Sequence, residues 1–236
     1  MQPFLRTAAI TITHFETGSP HRKAVDGMHT GEQYHDFMLT SQRDLEVRGR
    51  FQRMALELLP VGAEVLDFGA GTGIDAKFYA ANGHLTFVYE PSQAMLDYLV
   101  RHCRDEIACN TIISVTRPLT RKVQAITANF AVLNHIVDHG SLFEEFSRVI
   151  DRGGVVLASM LSPWHLGDAR YRWWWANLLN LVQKGCYPSP GESRIHRFAP
   201  NAVARAAAPY FRLERLIPRG FGLASRLYVF LLFRRV

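Results

Sequence analysis

The sequence predicts an α/β fold: one doubly wound sheet of seven strands, mostly parallel, with the last strand antiparallel. Two stretches carry that expectation. Glu64-Val65-Leu66-Asp67-Phe68 is a short apolar run that ends in a turn with glycines at 69, 71 and 73. The chain then continues through Ile74-Asp75-Ala76-Lys77-Phe78-Tyr79-Ala80-Ala81, helical in pattern and closed by Asn82-Gly83. A second β-rich run, 84–89, ends at Glu90-Pro91-Ser92. Strand, glycine turn, helix and strand make a βαβ unit, which implies a parallel sheet. Further runs rich in β-branched and aromatic residues at 111–115, 123–130, 155–160, 210–217 and 226–233 supply the remaining strands.

The bulk composition agrees. A chain of 236 residues fits one α/β unit with a modest elaboration, and 48% hydrophobic with 20% charged residues suits a core-forming protein. Cys103, Cys109 and Cys186 form no C-x-x-C pair and are odd in number, which favours reduced thiols and a cytoplasmic location. No apolar run reaches signal-peptide or transmembrane length, so integral membrane association is not expected. The net charge of +6 is uneven. Residues 1–150 carry 14 basic and 17 acidic side chains, whereas 151–236 carry 13 and 4. A basic C-terminal third attracts an acidic small molecule, an acidic carrier, nucleic acid or an anionic surface, or is simply a solvated arginine-rich face.

Three glycines without a Cβ let the backbone turn tightly and approach a ligand. The dinucleotide spacing G-x-G-x-x-G fails here, because Ile74 occupies its sixth position. The run Asp67-Phe68-Gly69-Ala70-Gly71-Thr72-Gly73 instead resembles motif I of the class I S-adenosylmethionine-dependent methyltransferases. Glu90-Pro91-Ser92-Gln93-Ala94-Met95-Leu96 resembles motif II of the same family at the expected distance. The resemblance implies S-adenosyl-L-methionine as cofactor, surrounded by Asp67, Gly69, Ala70, Gly71, Pro91, Ser92 and Met95. Glu90 would accept from both ribose hydroxyls. Charge-assisted bonds of that kind are about twice as strong as neutral ones.

Residues 1–31 are expected to form an N-terminal arm, with His14, His21 and His29 scattered at spacings unlike a metal site. Residues 32–236 form the methyltransferase region. A helical cap is expected over 32–60, with apolar residues at three- and four-residue steps and a stop at Pro60-Val61-Gly62. In the family this cap lies over the cofactor, with a tyrosine and an arginine near its methionine carboxylate. Tyr34 and Arg48 match those roles. Relatives place an acidic residue after the third strand to hold the adenine amino group. Here Thr116 stands at that place, and its hydroxyl is the remaining side-chain partner.

The fourth strand ends at Asn129-Phe130, where strands one and four converge at the switch in strand order and ligands collect. Phe130 is therefore placed against the cofactor. The following Val132-Leu133-Asn134-His135-Ile136-Val137-Asp138 resembles the V-L-E-H-V-x-D of quinone-pathway O-methyltransferases. Asn134 replaces their glutamate, so no metal is carried over. His135 is the leading general base, because a neutral imidazole with a pKa near 6.5 accepts a phenol or carboxylic-acid proton. Packing beneath the next helix is the alternative reading of His135, and His165 is its rival. The segment 162–197 holds all four tryptophans and interrupts the alternation. It reads as an acceptor-side insertion with aromatic walls, or else as an extra helix using tryptophan for its own core or a dimer contact.

The expected activity is methyl transfer from S-adenosylmethionine to a small-molecule acceptor, on an oxygen of a phenol or carboxylic acid. An aromatic, conjugated or carrier-bound acceptor would suit the insertion. A nucleic-acid or protein methyltransferase using the basic C-terminal third is the alternative. It is disfavoured because the D/N-P-P-Y/F run of nucleic-acid amino-methyltransferases is replaced by Asn129-Phe130-Ala131-Val132.

Overall fold

The computed structural model describes residues 30–189 and 195–236. The expected N-terminal arm, with its three histidines, lies almost wholly outside the described residues.

The cap is two helices, not one. Helix α1 (Gly31–Thr40) and helix α2 (Gln42–Leu58) are separated by Ser41, whose backbone is extended. The Ser41 hydroxyl accepts from the Asp44 N–H at 3.4 Å and so caps α2. A serine cap contributes about 1 kcal/mol, and this local bond competes with helix continuation. The apolar periodicity runs through the break, which is why it reads as one helix.

Strand β1 (Glu64–Phe68) leads through the glycine turn to α3 (Ile74–Ala81), β2 (Leu85–Tyr89), α4 (Gln93–His102), α5 (Arg104–Ala108) and β3 (Ile112–Ser114). The crossover from β3 to β4 (Val123–Ala128) is an irregular segment, not a helix. It is held by Glu145, which takes the Arg117 guanidinium and the Leu119 N–H. Helix α6 (His139–Val149) feeds β5 (Ile150–Leu161). Gly153-Gly154 precedes the β-rich run 155–160 in sequence, yet it lies inside this strand. The register against β4 slips there, and a Cβ on Gly154 would stand 2.5 Å from Ile150 Cγ2 and 2.8 Å from the Gln124 oxygen.

Beyond β5 come α7 (Arg172–Lys184), the short hairpin of β6 (Cys186–Pro188) and β7 (His196–Phe198), α8 (Pro200–Ala207), β8 (Phe211–Ile217), α9 (Gly222–Ser225) and β9 (Tyr228–Arg235). The main sheet has seven strands in the order β3-β2-β1-β4-β5-β9-β8. Strand β9 runs antiparallel to both β5 and β8, between which it is inserted. The order reverses between β1 and β4, so the turns after those strands meet at one edge of the molecule.

Alternation along each strand divides the core. Leu66, Phe68, Ile126 and Ala128 face α6 and α8, where Phe143, Phe146 and Val203 are buried. Val65, Ala125 and Leu157 face α2 and α3, against Phe51, Met54 and Tyr79. Asp67 has the same parity as Val65, so its carboxylate enters the core on the α2 side. No helix among the described residues is long and apolar enough to cross a membrane.

Candidate active site

The glycine turn is tied to the second strand end. The N–H groups of Gly69 and Ala70 both donate to the Tyr89 carbonyl, at 2.7 and 3.0 Å. The Glu90 carboxylate accepts from Gly71 N–H at 2.7 Å and from Ser92 N–H at 2.8 Å. Two of the predicted motifs are therefore joined through one carboxylate, each of whose oxygens keeps a lone pair for another donor. Burial raises the Glu90 pKa, opposed by those two N–H groups. Gly69 has φ +76°, and a Cβ there would lie 2.6 Å from Val132 Cγ2, so the turn after β4 packs directly on the turn after β1.

Beneath this junction lies a buried polar cluster. The Arg48 guanidinium donates to Asp75 Oδ2 at 2.5 Å, with both side chains more than nine-tenths buried. Asp75 also accepts from Gln52 at 2.8 Å and from the Asn129 amide at 3.0 Å. Asp67 Oδ1 accepts from the Thr127 hydroxyl at 3.1 Å, while Oδ2 is buried without a partner. Burial, then the neighbouring Asp75 charge, pushes the Asp67 carboxyl well above the ordinary carboxylate range. An orphaned carboxylate oxygen beside an open glycine turn suits a cationic ligand.

The cap closes over this centre. His35 Nδ1 lies 3.1 Å from the Thr72 hydroxyl, which seats α1 on the glycine turn. A Cβ on Gly71 would have the Tyr34 ring as its nearest neighbour, at 3.9 Å. Burial pushes the Tyr34 phenol up to about 12, so it stays a neutral hydrogen-bond donor at physiological pH. Arg48 is committed to Asp75 and lies over the Phe130 ring, 4.5 Å from its centroid. Its expected partner, a ligand carboxylate, is thus replaced in this structure by a carboxylate of the protein itself.

After β4, Phe130 and Ala131 both take positive φ, 50° and 65°. Such backbone is costly for residues with a Cβ and persists where surroundings enforce it. Ser159 on β5 does so: its hydroxyl accepts from Phe130 N–H at 2.7 Å and its carbonyl accepts from Ala131 N–H at 3.2 Å. The turn presents Phe130 between Arg48 and Tyr228, with the two rings edge to face at 5.4 Å. His135 ends the following 3-10 turn and is exposed at its rim. Asn134 is fully buried, donating to the His196 carbonyl at 2.6 Å and accepting from Leu161 N–H at 2.9 Å. An ionised glutamate could not donate, which explains an amide at this position.

Met95 is half-buried on α4, and Pro91 and Ser92 are exposed beside it. Thr116 follows β3 two residues beyond Ser114, whose register partner Val88 lies two residues before Glu90. It lines a separate cavity of about 250 Å³ with Leu66, Phe87 and Pro118, to which the glycine turn contributes no wall. Three of the four tryptophans match the second reading of this segment, an extra helix with a core of its own. Trp174 Nε1 and the Tyr187 hydroxyl both donate to the Pro163 carbonyl, and Trp164 and Trp173 pack around Leu181 and Tyr187. These residues build the insertion's own small core, whereas Trp175 is exposed and donates from Nε1 to the Ala169 carbonyl at 2.7 Å.

Sequence reasoning missed Asp75, Gln52, Asn129 and Ser159. Ser159 had a signal, as one of the few polar residues in a continuously apolar strand. Asp75 had none, since an acidic residue in the first turn of a helix ordinarily faces solvent.

The family model described as a methyltransferase domain matches residues 39–194. The chain belongs to this methyltransferase family, and its fold is that of the class I S-adenosylmethionine-dependent enzymes. No curated protein matches the sequence. Among solved structures, an S-adenosylmethionine-dependent methyltransferase from Clostridium acetobutylicum is similar at 13% identity and a TM-score of 0.61, over 86% of this chain and 98% of that one. Magnesium protoporphyrin IX methyltransferase from Synechocystis, with SAH bound, is similar at 18% identity and 0.57, over 81% and 82%. A glycopeptide N-methyltransferase complexed with S-adenosylmethionine is similar at 16% and 0.57, over 79% and 93%.

Proposed function

We propose that this chain transfers a methyl group from S-adenosylmethionine to an oxygen of a small acceptor, a phenol or a carboxylic acid. The observation that carries the reading is the unpartnered Asp67 oxygen beneath the Gly71–Glu90 junction at the switch in strand order. When bound, the cofactor supplies a methyl group already activated on a sulfonium. Glu90 accepts from the ribose hydroxyls, Asp67 balances positive charge, and Gly69 and Gly71 leave room at the turn, with Ala70, Pro91, Ser92 and Met95 along its border. Tyr34 closes the site from the cap, and Arg48 fixes Asp75 and the Phe130 ring. His135 takes the acceptor's proton or holds its oxygen. Holding the two reactants in line contributes on the order of 7–11 kcal/mol, so positioning outweighs any single proton transfer.

Two measurements test this reading. Glu90→Ala is expected to weaken calorimetric binding of S-adenosylhomocysteine by about 1.5–3 kcal/mol, the effect of losing a charged acceptor. Unchanged affinity would remove Glu90 from the site. Labelled S-adenosylmethionine offered with phenols and carboxylic acids, and separately with RNA and protein extract, should mark only the small molecules. Label in RNA or protein alone overturns the acceptor class.

Asp67 adds a pH signature. Its folded pKa is raised, so the folded protein holds a proton that the unfolded chain releases near the ordinary value of about 3.9. The stability it contributes is full below that value and is lost as pH rises through the folded pKa. A cationic ligand favours the ionised form, so cofactor affinity should run the opposite way and rise with pH, by at most about tenfold per unit. Titration across this range should show the slope in wild type and none in Asp67→Asn; a slope that survives the substitution belongs to another group.

A further inference from the structure

A second concavity opens on the α2 side of the same sheet edge, at the start of β9 and the end of β8. It encloses about 360 Å³, within the usual range for a small-molecule site. Arg43, Arg50 and Arg53 line it from one stripe of α2, and Arg226 faces them from the segment before β9. All four side chains are exposed, and none has a carboxylate partner among the described residues. Glu46 is the one acidic residue in the lining, and the Gln42 amide holds it at 3.1 Å. The floor is apolar and aromatic: Val47, Ile217, Pro218, Tyr228 and Phe230. Arg50 lies over the Phe230 ring, 5.6 Å from its centroid, which holds one guanidinium across the floor.

One residue connects this cleft to the reaction site. Tyr228 is one of its walls and meets Phe130 edge to face at 5.4 Å, while Phe130 sits under Arg48 at the end of β4. His165, which follows β5, also lines the cleft, its Nδ1 buried without a hydrogen-bond partner. Four guanidinium groups against one carboxylate make the cleft a trap for negative charge. Guanidinium forks match carboxylate and phosphate oxygens bidentately. The aromatic floor suits the flat or apolar body attached to such a group.

We propose that this arginine-lined cleft binds the anionic group, a carboxylate or a phosphate, of the methyl acceptor, whose reacting end reaches Phe130 past Tyr228. The inference rests on the methyl-transfer reading and adds to it the charge class of the substrate. Arg43, Arg50, Arg53 and Arg226 hold the anion, and His165 lies in the same lining. The acceptor's charge then sets its orientation, because the end that pairs with the arginines cannot also reach the methyl group.

Calorimetry on the full chain tests it, with 4-hydroxybenzoate, phenyl phosphate and neutral phenol as probes, with and without S-adenosylhomocysteine. The two anions should bind at least about tenfold more tightly than phenol, and their affinity should fall as sodium chloride is raised. Arg50→Gln and Arg226→Gln should each weaken the anions by about tenfold, the loss of one charge-assisted contact, and leave phenol and S-adenosylhomocysteine unchanged. The more tightly held anion identifies carboxylate or phosphate as the natural group. Anions that bind no better than phenol, or that ignore both substitutions, overturn the proposal. Failure of wild type to bind S-adenosylhomocysteine overturns the methyl-transfer reading instead, so the two failures are separable.

Discussion

Asp75→Ala is expected to remove about 3–5 kcal/mol of stability, the usual consequence of leaving a buried charge without its partner. Three donors converge on this carboxylate: Arg48 at 2.5 Å, Gln52 at 2.8 Å and the Asn129 amide at 3.0 Å. Alanine would strand all three in a region closed to water. One effect opposes the loss, since the Asp75 charge helps to raise the Asp67 pKa, and removing it relieves that repulsion. The relief is the smaller effect, because burial is the main cause of the Asp67 shift. For a chain of this size the net change corresponds to a fall of about 6–20 °C in the melting temperature. Asp75→Asn keeps one acceptor oxygen and should fall between the two. A loss below about 1 kcal/mol in chemical denaturation would show that Arg48 finds another partner.

His135→Gln is expected to lower turnover by about 10²- to 10⁴-fold and to remove one limb of its pH profile, the signature of a general base. The substrate is whichever phenol or acid the transfer assay marks. His135 is exposed at the end of the 3-10 turn that follows the strained Phe130-Ala131 pair. The buried residues beside it are structural: Asn134 bridges β5 and β7, and His139 bonds the Leu133 carbonyl at 3.0 Å. Affinity for S-adenosylhomocysteine should be unchanged in the variant, which separates a chemical role from a packing one. Full turnover with the same limb would assign His135 to the surface. A limb that vanishes in His165→Gln instead would move the proton acceptor into the arginine-lined cleft. The His165 pKa is lowered by burial, so that limb would lie below the ordinary histidine value.

Much of this protein was legible in the chain because its information is local. A strand of five residues ending at Asp67, glycines at 69, 71 and 73, and an acid ending the next strand specify a βαβ unit and its ligand side without reference to anything distant. The same holds for the closing pair of strands, where the pattern of apolar residues sets the element and its buried face. Two errors came from features that periodicity does not register. Ser41 interrupts the cap through its own side-chain hydrogen bond, and Gly153-Gly154 enters β5 because the partner strand tolerates a register slip.

The chain by itself determined the fold class, the methyltransferase family and the glycine turn after β1. Tertiary structure alone decided what the charged residues do. Arg48, Asp75 and Asn129 lie far apart in sequence, and only closing the sheet brings them within bonding distance in a dry interior. The tryptophans were visible as a cluster, but whether they face a ligand or one another depended on how α7 folds back over Pro163. The four arginines of the second cleft come from α2 and from the segment before β9, at opposite ends of the chain. Apolar periodicity predicts which face of an element is buried; it does not specify which polar groups meet, because that depends on distances between elements that no local pattern encodes.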